Sequence, residues 1–147
     1  MFKHILIPTD GSNLSKKAVK AGVRFAKSMS ARVTGFHSYP SFQQYAFSGY
    51  DAPEAETVKH FDEKMREAGE KYLTEIEKEA KAAGVDYTGV VQKADAPYLG
   101  ITEAAKKRGC DAIFMASHGR KGIAALLVGS ETQKVLTHSK IPVVVFR

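Results

Sequence analysis

The sequence predicts an α/β fold in which helices cover both faces of a five-stranded parallel sheet. Short apolar runs alternate along the chain with longer segments whose apolar residues recur every three or four positions. Runs of the first kind suit strands buried on both faces, and the longer segments are typical of amphipathic helices. Strands separated by helices imply right-handed crossovers and a parallel sheet. The predicted architecture is a Rossmann-like, doubly wound sandwich, and 147 residues suit a single domain over 1–147.

The first half of the chain provides two strands and two helices. Residues 5–7 form an apolar run, and the Pro, Asp and Gly of residues 8–12 mark a tight turn. Apolar positions between residues 14 and 29 predict the first helix, and residues 33–37 predict the second strand. Residues 58–84 carry an apolar stripe opposite a face of Glu and Lys, which predicts the strongest helix of the chain.

Residues 39–56 interrupt this alternation of strands and helices. The segment contains five aromatic residues and no Lys or Arg. Aromatic surfaces for single-stranded nucleic acid come with a positively charged groove, which this segment lacks. Long connections without their own structure are often functional, so the segment is interpreted as a lid or a docking surface. Simple packing against the rest of the domain remains the alternative.

The third strand is predicted at residues 87–91, and the helix that follows has recognisable ends. Asp95 is a candidate N-cap, with Pro97 in the first turn. Three basic residues complement the dipole of the last turn, and Gly109 ends the helix.

The last two strands are predicted at residues 112–116 and 141–146. Between them, Ser130 and Gln133 have the spacing of a capping box, in which the Ser130 side chain caps the last helix. The final strand is apolar, and an unpaired strand edge needs a cover.

Composition excludes several classes of function. The formal charge of +6 comes from cations spread along solvent-facing helix positions, and no nucleic-acid-binding module appears, so no specific nucleic acid is expected. The single Cys110 excludes an internal disulfide and a multi-cysteine metal site, and we expect it to be a buried, inert thiol. No signal peptide or membrane-spanning run is recognised, so the expected location is the cytoplasm.

Ligands of doubly wound sheets bind beyond the carboxyl ends of the strands, at the point where strand order reverses. Those ends are residues 8–10, 36–38 and 115–119. Gly119 in the last of them can approach a ligand closely and permits a positive φ. The candidate site therefore lies at this rim of the sheet.

The start of the last helix adds a candidate anion site. Gly129 and Ser130 open a helix whose unpaired N–H groups and positive dipole end favour an anion. Arg120 and Lys121 place two cations nearby. Taken alone, two glycines and a capped helix are also what ordinary turns provide.

Five short segments occur in a characteristic order. They are Ile5-Leu6-Ile7-Pro8-Thr9-Asp10-Gly11-Ser12, Cys110-Asp111, Ser117-His118-Gly119-Arg120, Gly129-Ser130 and Pro142-Val143-Val144-Val145. With this order and spacing, the chain resembles the universal stress protein family over nearly its whole length. The resemblance implies an adenine nucleotide alpha hydrolase-like fold and a role in the stress response.

Family members that hold ATP carry G-x-x-G, nine residues, and then G-[S/T]. The second glycine of the pattern corresponds to Gly119, and the closing pair corresponds to Gly129 and Ser130. Ala116 stands in place of the first glycine. Its methyl group costs on the order of 1 kcal/mol if φ is positive there and almost nothing if the backbone is extended.

The resemblance implies a binding role for each corresponding residue. Asp10 would accept hydrogen bonds from the ribose hydroxyls, although a carboxylate here is also what a tight turn favours. Pro8 and Thr9 would flank the base or ribose, and the backbone of Ser38 would meet the adenine edge.

Backbone N–H groups of two segments would hold the phosphates. The two segments are His118, Gly119 and Arg120, followed by Ser130, Glu131 and Thr132. The His118 imidazole itself is interpreted as an orienting or solvent-facing group, because no second titrating partner is visible. The implied ligand is ATP or AMP, with any Mg²⁺ or Mn²⁺ carried by the phosphates.

No catalytic residue is identified. The chain lacks a Walker A sequence, a G-x-S-x-G elbow and H-E-x-x-H. Slow ATP hydrolysis stays open, since positioning and charge neutralisation do most of the work in phosphoryl transfer. The sequence favours a nucleotide-binding regulatory module over two alternatives, which are a nucleotide-free stress protein acting through protein contacts and a weak ATPase. The resemblance also suggests a homodimer paired antiparallel through the last strand.

Overall fold

Five parallel strands form one sheet in the computed structural model, which describes residues 1–49, 58–120 and 127–147. In chain order the strands are β1 His4–Pro8, β2 Arg32–Tyr39, β3 Tyr87–Lys93, β4 Ala112–Ala116 and β5 Val143–Phe146. The helices of the described ranges are α1 Asn13–Ser28, α2 Phe42–Phe47, α3 Val58–Ala83, α4 Pro97–Arg108 and α5 Ser130–His138. The predicted α/β fold with a five-stranded parallel sheet is confirmed.

The strand order reverses near the middle of the sheet. The order is β3-β2-β1-β4-β5, and every neighbouring pair is parallel. The chain moves outward from β1 through β2 to β3, and then returns to the other side of β1 with β4 and β5. Strand order therefore reverses between β1 and β4, and their carboxyl ends form the rim at which ligands of such sheets bind.

The two faces of β1 organise the core. Ile5, Leu6 and Ile7 are fully buried. Ile5 and Ile7 belong to the cluster with residues of α1 and α3, whereas Leu6 belongs to the cluster with residues of α4 and α5. Burying such a side chain contributes about 1.5–3 kcal/mol, so β1 and the turn that follows it are anchored from both sides.

The segment predicted as an irregular stretch contains α2. Ser41 caps this helix, since its side chain accepts the Gln44 N–H while the Gln44 side chain accepts the Ser41 N–H. The rings of Phe42 and Tyr45 pack against Phe61 of α3, with centroids 5.4 and 5.1 Å away. For these two rings, the alternative that the segment packs against the rest of the domain is confirmed. Phe47 is 92% exposed, and Tyr50 lies outside the described residues.

The beginning of α4 differs from the prediction in its N-cap. The cap residue is Ala96 and not Asp95, and its side chain makes no capping hydrogen bond. Glu131 of α5 supplies an acceptor instead, since its Oε2 atom accepts the Tyr98 N–H at 3.0 Å. The predicted end is confirmed, because Gly109 has the left-handed φ of +66°.

Cys110 is buried, as predicted. Burial raises the pKa of its thiol to about 11, so the reactive thiolate is scarce near neutral pH. Within the described ranges, we find no helix that is both long and apolar enough to cross a membrane.

Candidate functional site

The candidate residues meet at the rim formed by the carboxyl ends of β1, β2 and β4. Pro8 ends β1 and Ala116 ends β4, while Ser38 lies one residue before the end of β2. The others follow these strands or open α5, namely Thr9, Asp10, His118, Gly119, Arg120, Gly129, Ser130, Glu131 and Thr132. Lys121 lies outside the described residues.

The carboxylate of Asp10 joins the first turn to the loop after β4. Its Oδ1 atom accepts the Ser12 N–H at 2.9 Å, and its Oδ2 atom accepts the Arg120 N–H at 2.8 Å. The first bond is the one expected of a turn acid, whereas the second spans two loops far apart in sequence. The N-cap of α1 is Ser12, whose hydroxyl accepts the Ser15 N–H. A carboxylate offers about four lone-pair positions, so these two bonds leave acceptor capacity on both oxygens.

Gly119 is notable for its close approach to Asp10 and not for its backbone angle, because an added Cβ would displace the Asp10 carboxylate. A Cβ atom added to it would lie 2.6 Å from Asp10 Oδ2. Its φ is not positive, unlike those of Gly11, Gly49, Gly84 and Gly109. Gly119 therefore does not use the positive φ that glycine permits, and the group that its backbone approaches in the structure is Asp10. Its approach to a ligand stays a prediction.

Ala116 adopts the extended conformation of a strand. It ends β4, is buried, and its carbonyl accepts a hydrogen bond from the Thr132 hydroxyl at 3.0 Å. Among the described residues other than glycine, Ser30 has a positive φ and Ala116 does not. The alanine methyl group therefore costs the backbone almost nothing at this position.

The predicted capping box at Ser130 is wrong. The N-cap of α5 is Gly129, which has extended angles of φ −68° and ψ 157°, and Ser130 is the first helical residue. The reason is a tertiary hydrogen bond, since the Gly129 N–H donates to the Ser117 carbonyl at 2.7 Å. This bond ties the start of α5 to the end of β4 and shifts the helix by one residue.

The first turn of α5 offers backbone donors. The N–H groups of Ser130, Glu131 and Thr132 have no acceptor within the helix, because the first donors of any helix lack one. The side chains of Glu131 and Thr132 are engaged elsewhere, with Tyr98 and Ala116 respectively. These two residues can therefore serve a ligand through their backbone, as the resemblance implies.

His118 is held by its neighbour. Its Nδ1 atom lies 2.9 Å from the Ser117 hydroxyl, and its Nε2 atom is buried without a hydrogen-bond partner in the described part of the chain. A Cβ on Gly129 would lie 3.3 Å from the His118 Cα atom. The two ends of the loop are thus in contact, and the geometry favours an orienting role for the imidazole.

Two residues of the rim were missed by the sequence analysis. His37 donates its Nδ1–H to the Thr9 carbonyl at 2.8 Å, because a carbonyl oxygen can only accept. Tyr72 of α3 packs its ring where a Cβ of Gly11 would be, and its hydroxyl accepts a bond from the Arg120 guanidinium at 2.9 Å. His37 is the last residue of the predicted second strand, and that position at the rim was a usable signal. Tyr72 was hidden in the apolar stripe of α3.

We expect the free energy of unfolding to decrease as pH falls below about 6.5. Burial lowers the pKa of both His37 and His4 below 6.5 in the folded protein, with Arg32 adding to the effect at His4. The unfolded chain then binds protons at a higher pH than the folded one, so acidification favours unfolding until the folded histidines titrate. Urea denaturation at several pH values measures this dependence. His37→Gln should flatten it, and an unchanged dependence would contradict the assignment.

Among the described residues, no group of three or more His, Cys, Asp or Glu side chains could hold a metal ion. With the Glu131 carboxylate engaged by Tyr98 and Lys134, the site offers a ligand the Asp10 carboxylate, several backbone N–H groups and the Arg120 guanidinium. This donor set suits a ligand with hydroxyl groups and negative charge.

Comparison with known proteins gives a consistent result. The family model described as "Universal stress protein family" matches residues 1–147. The Universal stress protein MJ0531 of Methanocaldococcus jannaschii is 29% identical, over 100% of this chain and 83% of that protein.

Solved structures share the fold. The structure of MJ0577, also from Methanocaldococcus jannaschii, matches with a TM-score of 0.81 and 26% identity over 99% of this chain and 95% of that one. A universal stress protein solved in complex with cAMP has a TM-score of 0.68 and 24% identity, over 99% of this chain and 97% of the other. One from Archaeoglobus fulgidus in complex with dAMP has a TM-score of 0.64 and 16% identity, over 100% and 98% of the two chains.

Proposed function

The chain belongs to the universal stress protein family, and on this premise we propose that it is a regulatory module that binds an adenine nucleotide, ATP or AMP. One observation carries the proposal. The Asp10 carboxylate lies at the rim where strand order reverses, held by N–H groups from two loops and with acceptor capacity to spare.

A ribose fits the acceptor capacity of Asp10. Its two oxygens already receive the Ser12 and Arg120 N–H groups, which fix the orientation of the carboxylate. Of about four lone-pair positions, two remain, and a ribose presents two neighbouring hydroxyl donors. Hydrogen bonds to an ionised acceptor are among the stronger ones in proteins. In the proposal, Asp10 therefore recognises the sugar.

Phosphates fit the opposite side of the site. The first-turn N–H groups of α5 and the positive end of its dipole favour an anion. The backbone of Gly119 and Arg120 would add donors from the loop after β4. The guanidinium of Arg120 has no carboxylate within ion-pair distance among the described residues, so its charge is not cancelled. We propose that any Mg²⁺ or Mn²⁺ arrives with the phosphates.

The base is proposed to lie between the ends of β1 and β2. Pro8 and Ser38 are half-buried there, whereas Thr9 is buried, and its hydroxyl accepts bonds from Ser15 and Gly11. The backbone N–H and carbonyl of Thr9 also have partners, the Phe36 carbonyl and His37. Thr9 is therefore proposed to contribute shape, and the adenine edge is proposed to meet the backbone of Ser38.

The fold neighbours with cAMP and dAMP agree with an adenine-nucleotide ligand. Their identities of 24% and 16% make them likenesses of fold, so the proposal rests on Asp10, the loop after β4 and the start of α5. Binding, not catalysis, is assigned to these residues.

Nucleotide extraction tests the proposal. Purified protein is denatured and its supernatant is chromatographed, and then the thermal midpoint is measured with and without ATP or AMP. We expect an adenine nucleotide in the extract and a higher midpoint, since ligand at 100 times its Kd stabilises by about 2.7 kcal/mol. An empty extract with no thermal shift at millimolar nucleotide would favour the nucleotide-free alternative. Phosphate release above background in a binding preparation would support the weak ATPase.

A homodimer through β5 is a separate proposal. The strand is at one edge of the sheet, its four residues are half-buried, and exposed edges invite pairing. The Pro142 and Phe146 carbonyls accept hydrogen bonds from the Ile113 and Ser117 N–H groups. The backbone N–H and carbonyl groups of even-numbered residues in β5 therefore point toward β4. Val143 and Val145 therefore direct their N–H groups to the open edge.

We expect Val145→Pro to give a monomer. Proline removes an outward N–H that an antiparallel partner strand would use, and it is tolerated on edge strands. Light scattering at micromolar concentration should give a dimer mass for the natural chain and a monomer mass for the variant. Circular dichroism serves as the control for folding. A monomeric natural chain would contradict the proposal.

A further inference from the structure

We propose that Tyr72 of α3 is a positioning residue of the nucleotide site, which acts by holding Arg120. This inference rests on the proposed function, and it assigns a role to a residue outside the glycine-containing motif. Tyr72 lies 48 residues before Arg120 in the chain, and no part of the sequence pattern connects them.

Arg120 is held at both of its ends. Its backbone N–H donates to Asp10 Oδ2 at 2.8 Å, and its guanidinium donates to the Tyr72 hydroxyl at 2.9 Å. The guanidinium carbon also lies 5.2 Å from the centre of the Tyr72 ring, within the range of a cation–π contact. Arg120 is otherwise exposed, so these contacts limit the conformations of its side chain and of the loop that carries it.

Tyr72 is itself fixed in place. It projects from the middle of α3, and its ring fills the space above Gly11, where an added Cβ would lie 2.4 Å from the ring. The ring also meets His37 edge-on, with centroids 5.1 Å apart and an interplanar angle of 71°. His37 in turn bonds to the Thr9 carbonyl. A side chain locked on a regular helix is a suitable support for a binding loop.

The partner that holds the Arg120 guanidinium, the Tyr72 hydroxyl, is neutral. A carboxylate in the place of the Tyr72 hydroxyl would hold the guanidinium equally well but would cancel its charge. Among the residues that the structure describes, no acid lies within ion-pair distance of the Arg120 guanidinium. Tyr72 therefore orients the guanidinium while leaving its positive charge available for the phosphates of the ligand.

Tyr72→Phe tests the inference, because it removes the hydroxyl and keeps the ring over Gly11. We expect the Kd for ATP to rise about 3- to 10-fold, as for loss of one hydrogen bond. We also expect faster hydrogen exchange of the Arg120 amide in the nucleotide-free protein. The matched control is Tyr87→Phe, which removes a tyrosine hydroxyl bonded to the Leu73 carbonyl of the same helix and should leave both measurements unchanged.

A double-mutant cycle separates positioning from a general effect on the fold. In an Arg120→Ala background, Tyr72→Phe should cause no further loss of affinity. An equal loss in both backgrounds, or natural affinity and natural exchange in Tyr72→Phe, would overturn the inference. If the natural chain binds no nucleotide, the proposed function fails, and the exchange of the Arg120 amide still decides whether Tyr72 orders the loop.

Discussion

Asp10→Ala is expected to weaken the binding of ATP or AMP by at least about 100-fold. The variant removes two proposed hydrogen bonds to the ribose, and bonds to a charged group contribute about 1.5–3 kcal/mol each. It also removes the acceptor of the Arg120 N–H, which loosens the loop that is proposed to hold the phosphates. Isothermal titration calorimetry with both nucleotides measures the loss.

An intermediate variant and a control variant test whether the loss is specific to the Asp10 carboxylate. Asp10→Asn keeps the shape of the side chain but one oxygen becomes a donor group, so an intermediate loss of about 10-fold is expected. Asp86→Ala is the matched control, because it removes an exposed acid at the start of β3, on the opposite rim of the sheet. Affinity in Asp10→Ala within threefold of the natural chain would contradict the role of Asp10 as the ribose acceptor.

Gly11→Ala is expected to destabilise the fold by about 2–5 kcal/mol, because two costs add. Its φ of +76° disfavours a side chain by about 1–2 kcal/mol. The new Cβ atom would also lie 2.4 Å from the Tyr72 ring, and such overpacking typically costs 1–3 kcal/mol. Displacing Tyr72 should additionally lower nucleotide affinity.

The matched control is Gly84→Ala. Gly84 has a similar φ of +68°, but no atom lies within 4 Å of its added Cβ. Only the backbone cost applies, so a loss of about 1–2 kcal/mol is expected. Urea denaturation of the two variants measures the difference, which isolates the contact with Tyr72. Equal losses would show that the ring yields freely, and would weaken the argument that Tyr72 is locked.

The two sites with the spacing of a capping box show where local sequence is sufficient. The same Ser-x-x-Gln spacing occurs at Ser41 and at Ser130. At Ser41 the box forms, within a segment predicted to be irregular. At Ser130 it does not, because the Ser117 carbonyl captures the Gly129 N–H and makes Gly129 the cap. A capping box depends on residues that are close in sequence. The Ser117 carbonyl, which bonds to the backbone at Gly129 instead, comes from a strand end that the local sequence does not reveal.

The strands could be predicted from the composition of the sequence alone. Apolar runs such as Ile5 to Ile7 are buried on both faces, so their composition alone indicates a central strand. The order of glycines, Asp10 and the final valines likewise indicated the family, which the match over residues 1–147 confirms. The individual roles of the site residues remain proposals.

The sequence by itself determined the alternation of strands and helices, the family, and the rim at which the candidate residues meet, because these depend on periodicity and on motif order. Only the tertiary structure decided which partners those residues have. Asp10 meets the Arg120 amide, Gly119 is needed for closeness to Asp10, and Tyr72 reaches the rim from a helix predicted to serve the core. The physical reason is that periodicity shows which face of an element is buried but not which residues of distant elements meet there, and hydrogen bonds and steric contacts between distant segments depend on the latter.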